Sequence, residues 1–165
     1  MRAASFLLSP ILAACATATQ LANPIAEPTL IQWGAGVEAM KARLAGQCEK
    51  MTVRSIKPPF LTGVANQEQI DCESFRFFGG ARHAEFVIGD DSLEMVWVMI
   101  DPTQYDAALK AMTSAYGPPT AHREDMTGWP GRRTALRSKP AEFLFYSPRQ
   151  AGEWEQWYRE PVAAR

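Results

Sequence analysis

The chain is poor in the residues from which common catalytic and metal centres are built. It has two histidines and three cysteines among 165 residues. A structural zinc site wants a full tetrahedral set of Cys and His ligands at set spacing, and no such spacing occurs. No serine lies in a G-x-S-x-G turn, and no P-loop or G-x-G-x-x-G segment is found. A nucleic-acid binder would carry a strong basic excess, whereas this chain balances 17 basic against 18 acidic residues. No apolar run reaches the length of about 18 residues that a bilayer span requires. These deficits point to no metal, no cofactor and no nucleic acid. They leave an enzyme only as the least favoured reading, with an unrecognised site assembled from distant residues.

What is present begins at the N-terminus. Arg2 precedes an uncharged, largely apolar run from Ala3 to Ala14, interrupted by Ser9 and Pro10 and closed by Leu12-Ala13-Ala14-Cys15. That layout is an export signal rather than a piece of the fold. It resembles the lipobox of bacterial lipoproteins, in which the chain is cut before the cysteine and the cysteine carries the lipid. The resemblance implies a signal over residues 1–14, lipidation of Cys15 and attachment to a membrane of the bacterial envelope. Ala16, a non-aspartate, goes with delivery to the outer membrane. A plain secretory reading competes, because Ala16-Thr17-Ala18 fits cleavage after Ala18 and would release a soluble periplasmic or secreted protein.

Setting Cys15 aside leaves an even pair, Cys48 and Cys72. In an oxidising compartment such a pair is expected to form a disulfide. The loop it closes, about 25 residues, is worth about 3.5 kcal/mol in the chain-entropy model. The alternative is two reduced thiols in the core.

Residues 15–35, rich in Ala, Thr, Pro and Gln, read as a flexible tether, and 36–165 as a single domain. Val37, Met40, Leu44, Cys48 and Met51 form a helical stripe from Gly36. A short strand over 51–56 ends at Lys57-Pro58-Pro59. Residues 69–78 alternate, but the alternation flips along the run, which predicts a bulge. Residues 84–88 and 93–100 make a hairpin around Gly89-Asp90-Asp91-Ser92, with Met95–Ile100 apolar enough for a central strand. Asp101-Pro102-Thr103-Gln104 opens a helix that buries Tyr105, Leu109, Met112 and Tyr116 and stops at Gly117-Pro118-Pro119. Short strands follow at 120–123, 134–137 and 142–146, with 126–131 a turn-rich loop. Ser147-Pro148-Arg149-Gln150 starts a last helix whose apolar face is Ala151, Trp154, Trp157 and Tyr158. The order predicts an α+β fold, an antiparallel sheet with helices packed on one face, in two α-then-β units.

The second unit carries Tyr116-Gly117-Pro118 after its helix, Trp129 in a hairpin and Glu142-Phe143-Leu144-Phe145-Tyr146 as closing strand. In this it resembles the small exported units of the SmpA/OmlA and β-lactamase-inhibitor-protein type. The likeness covers a minor part of the chain and concerns architecture. It implies a small exported domain, often a lipoprotein that binds other proteins, and carries over no individual binding residue.

Trp129 is the strongest recognition candidate. Gly128, Pro130 and Gly131 flank it and Arg132-Arg133 follow, a composition suited to a protein-binding hot spot on a loop tip. The competing reading folds the indole back over the sheet edge. His122-x-Glu124-Asp125 offers a nitrogen and two carboxylates, but reads as a solvated loop; Asp90-Asp91 suits turn geometry alone. Acids dominate from 67 to 106 and bases from 107 onward. The leading expectation is a non-enzymatic envelope lipoprotein that binds a protein partner. The alternative is a periplasmic carrier or sensor of a small apolar ligand. An empty apolar cavity of about 300 Å³ or more would favour the carrier, and an exposed Trp129 the partner.

Overall fold

Runs rich in Val, Ile, Phe and Trp outweigh the helical segments, and they join into one eight-stranded antiparallel sheet. The structure, a computed structural model, describes residues 25–161. The chain runs α1 (Val37–Leu44), β1 (Lys50–Ile56), β2 (Gln67–Phe77), β3 (Gly80–Gly89), β4 (Ser92–Met99), α2 (Tyr105–Tyr116), β5 (Ala121–Arg123), β6 (Met126–Trp129), β7 (Thr134–Ser138), β8 (Ala141–Tyr146) and α3 (Ala151–Arg159). The strand order is β1-β2-β3-β4-β8-β7-β6-β5. α1 and α2 are thus each followed by a four-stranded meander, and the last strands of the two meanders pair, from Met95 opposite Tyr146 to Met99 opposite Glu142. The fold is α+β, built from two α-then-β units. β4 and β8 lie at the centre, which explains why their sequences are almost continuously apolar.

Alternate residues of these strands feed two separate cores. Phe86, Val96, Val98, Phe143 and Phe145 share one face with α1 and α2. There Phe75 meets Phe86 edge-on at 5.7 Å, and Phe77 meets Phe143 at 5.1 Å. Val87, Met95, Trp97, Leu144 and Tyr146 point the other way and pack against Trp154, Trp157 and Tyr158 of α3. Helices therefore cover both faces, where one had been expected. An amphipathic stripe says that a helix must be covered, not which face of a sheet covers it.

The predicted bulge lies between Cys72 and Phe75, with Ser74 at φ +65°. The extra residue shifts the alternation, so that Ile70 and Cys72 before it and Phe75 and Phe77 after it enter the same core. Asp101 caps the turn into α2 through its carboxylate, which accepts from the Thr103 N–H at 2.8 Å. Cys48 and Cys72 form a disulfide with Cα atoms 5.3 Å apart, a bond that oxidising compartments form and keep. Among the described residues no helix is long and apolar enough to cross a membrane.

Three boundaries move. Residues 25–35 are not tether: Ile25, Ile31 and Ala35 are buried in the first core. The Tyr116 hydroxyl donates to the Ile25 carbonyl at 3.0 Å, and the Leu93 N–H to the Ala35 carbonyl at 2.8 Å. The folded domain therefore includes Ile25 rather than starting at Gly36. The signal over 1–14 and Cys15 lie outside the described residues. Secondly, α1 ends at Leu44, and Gly46 at φ +75° lies in the turn that follows. Cys48 lies past the helix and Met51 on β1, so the apolar spacing ran on across a turn. Thirdly, the segment read as a loop at 126–131 contains β6.

Candidate functional site

The second face of the sheet is only partly covered, and its cover is held in place by a buried carboxylate. Val87 pairs with Met95 and Ile88 with Leu93, which leaves Glu94 as the extra residue of a bulge on β4. Glu94 is 1% exposed. It accepts hydrogen bonds from the hydroxyls of Ser92 (2.7 Å) and Ser147 (2.6 Å) and from the Gln150 amide (3.5 Å), and ion-pairs with Arg149 at 2.9 Å. Ser147 also accepts from the Gln150 N–H at 3.3 Å. The turn from β8 into α3 is thereby fixed against β4, which sets where α3 crosses the sheet.

The segment 57–66 closes the other side. Gln67 accepts from the Phe60 and Leu61 N–H groups, each at 2.9 Å. Asp90 accepts from the Asn66 and Ala65 N–H groups, and these bonds hold its carboxyl below the usual range. Thr62 donates to Glu153 of α3 at 2.7 Å.

Between α3, this segment and the sheet lies a cleft of about 340 Å³. Met95, Trp97 and Met126 contribute from the strands, Trp154 and Trp157 from α3, and Phe60 and Leu61 from the segment. Glu124, Asp125, Arg137, Gln150 and Glu153 complete the lining. The three indoles stand nearly at right angles: Trp97 to Trp154 at 6.3 Å and 67°, Trp154 to Trp157 at 5.5 Å and 73°. Tyr146 stacks beneath Trp154 at 5.6 Å and 26°. The Arg137 guanidinium lies 4.5 Å from the centre of the Trp97 ring and ion-pairs with Glu142. Arg123 lies 4.6 Å from the Trp157 ring centre, donates to the Trp157 carbonyl and pairs with Glu160 at 3.4 Å.

Glu142 is fully buried. Burial pushes its carboxyl up to about 7, against the pull of Arg137 and with the push of Glu85 and Asp125. Burial also raises the Tyr146 and Tyr158 hydroxyls. A charge costs more under α3 than in water, which is why both buried carboxylates of the described residues, Glu94 and Glu142, have an arginine beside them. Further along the same face, Asp71, His83 and Glu85 bring one ligand atom each within 4.8 Å of one another. These are the residues that could hold a metal, but Arg54 already pairs with Asp71 at 2.8 Å and Glu85 at 3.5 Å, and His83 pairs with Glu73 at 2.9 Å.

The structure redistributes the residues singled out in the sequence. Trp129 is not on a loop tip. It ends β6, paired with Thr134, is 2% exposed, and donates its indole N–H to the Gly117 carbonyl at 2.8 Å. Gly128 is a packing residue rather than a turn residue, since a Cβ there would stand 2.4 Å from the Tyr158 hydroxyl. Arg132 is exposed and stands 5.9 Å from the Tyr116 ring centre. Arg133 is partly buried at φ +49°. Trp129, Arg132 and Arg133 thus form no common exposed patch. Glu124 and Asp125 line the cleft, while His122 points elsewhere, 3.3 Å from the Thr127 hydroxyl. Asp91 caps α1 from across the fold, accepting from the Val37 N–H at 3.0 Å; a Cβ on Gly36 would stand 2.1 Å from that carboxylate.

Of the cleft, only Met95 and Trp97, within the apolar run Met95–Ile100, fall where the sequence suggested the wall of a carrier's cavity; the rest was missed. Trp97, Trp154 and Trp157 sit at strand and helix positions where burial is the ordinary reading, and Phe60 follows a proline pair. One signal was available: three tryptophans and Phe60 are more aromatic surface than one short helix needs to pack; in the fold Phe60 is 55% exposed. Comparison with protein families, curated proteins and solved structures gives no match to this chain.

Proposed function

We propose that this is a non-enzymatic binding domain for a small ligand with a planar, apolar body, taken up between α3 and the sheet. The observation that carries this reading is the aromatic cleft. Its volume of about 340 Å³ falls in the range of about 300–1,000 Å³ typical of small-molecule sites. Its lining has the composition of such sites, apolar rings with a few polar groups at fixed positions. Burial of Trp129 removes the candidate contact residue for a protein partner, so that reading becomes an outcome of the test.

The proposed setting is the bacterial cell envelope, with the domain attached through a lipid on Cys15. Leu12-Ala13-Ala14-Cys15 and the Cys48–Cys72 disulfide support it. The doubled α-then-four-strand order supports a likeness in architecture to the SmpA/OmlA and β-lactamase-inhibitor-protein type.

Native mass spectrometry of protein purified from the envelope tests both parts. The expected result is a diacylglyceryl mass on Cys15 and a small-molecule adduct that Trp154→Leu loses. A chain beginning at Thr19 would overturn the anchor. A chain without adduct, with a stoichiometric protein partner retained by Trp154→Leu, would overturn the ligand and restore the partner.

A further inference from the structure

Resting on that reading, the geometry points to a more specific ligand: an organic cation, such as a quaternary or tertiary ammonium group on a planar apolar body, held against Trp154. Three observations converge on it.

The first is the arrangement of rings. Trp97 and Trp157 meet Trp154 at 67° and 73°, so the three indoles meet edge to face rather than in a stack, and all three line the cleft. An electron-rich ring face attracts a cation, and more strongly where water is excluded. The second is that two of these rings already hold one. A guanidinium lies over Trp97 and another over Trp157. Among the described residues no lysine or arginine lies over Trp154, whose ring stacks on Tyr146.

The third is charge. The lining carries three acids, Glu124, Asp125 and Glu153, against one base, Arg137. None of the three acids takes part in an ion pair among the described residues. Both arginines near the cleft have carboxylate partners, Arg137 in Glu142 and Arg123 in Glu160. An anion entering here would meet an acidic rim and find its possible partners engaged. A neutral ligand would gain only the apolar contact. A cation gains the rings and the rim together, since a cleft lined by one sign of charge concentrates the opposite sign.

The test compares phenyltrimethylammonium with tert-butylbenzene, which have the same shape and differ only by a charged nitrogen in place of a carbon. Binding to the purified protein is followed by the NMR shifts of the tryptophan indole N–H groups. Phenyltrimethylammonium is expected to bind about tenfold or more tightly than tert-butylbenzene. The double variant Glu124→Gln, Asp125→Asn, at an exposed and a half-buried position of the rim, is expected to erase most of that preference and leave tert-butylbenzene unchanged. Trp154→Leu is expected to lose both. Equal affinity for the two compounds overturns the cation while leaving a small-ligand site. If neither compound moves the indoles of Trp97, Trp154 and Trp157, the site itself is overturned.

Discussion

The face sealed by α1 and α2 and the face under α3 are made from alternate residues of the same strands. They nevertheless differ in kind. On the first, Phe75, Phe77, Phe86, Phe143 and Phe145 interlock edge to face. On the second, apolar rings stand beside Arg137, Glu142 and Glu94, and the cover stops short of closing. The difference teaches where stability and binding reside. Close packing of hydrocarbon leaves no room for a ligand. A face held by a few buried carboxylates can keep its shape and stay open, at some cost in stability.

The largest expected effect lies on the sealed face. Phe143→Ala should cost about 3–5 kcal/mol, the usual penalty for emptying a full core position. Trp154→Ala, at a half-exposed position over the cleft, should cost about 1–2 kcal/mol by the same reckoning. Urea unfolding of the two variants measures both; equal losses would break the distinction between the faces.

Next comes Glu94→Ala. It removes the acceptor shared by Ser92, Ser147, Gln150 and Arg149. A loss of about 2 kcal/mol is expected, with Arg149 discounted because its head reaches solvent. Amide hydrogen exchange should rise in α3 and stay unchanged in α1 and α2. Uniform loosening of all three helices would show that Glu94 does not act on α3 in particular.

Glu142→Gln sharpens the comparison by its sign. The Glu142 carboxyl is raised to about 7 in the fold, so between the ordinary carboxylate value and about 7 the unfolded chain has already lost a proton that the fold retains. This group's contribution therefore falls as pH rises through that window. The glutamine variant should match the native protein near pH 4 and exceed its stability at pH 8, by up to about 3 kcal/mol. A variant less stable at pH 8 would mean that attraction to Arg137 outweighs burial.

Local chemistry was legible in the sequence where one element contains all the atoms that matter. The Asp101 cap, the stop at Gly117, the bulge before Phe75 and the apolar strand at Met95–Ile100 each follow from neighbours a few residues apart. Where a signal depended on distant partners, the reading drifted. Pro24, Pro28 and the small polar residues around them suggested a tether, yet Ile25, Ile31 and Ala35 fill the first core beside α2. Gly128 suggested a turn, because Tyr158, the residue that requires a glycine there, arrives from thirty positions later in the chain.

The sequence by itself therefore specified the α+β class, most of the element types, the cysteine pair and the doubled order of helix and strands. Those depend on periodicity, caps and cysteine count, which are properties of the chain read along its length. The face that α3 covers, the burial of Trp129 and the cleft among three tryptophans belong to the folded molecule alone. A period of two separates the faces of a strand without saying what will lie against either. That choice is made when β4 pairs with β8 and Glu94 fixes the turn into α3, contacts between residues that meet only after the sheet has closed.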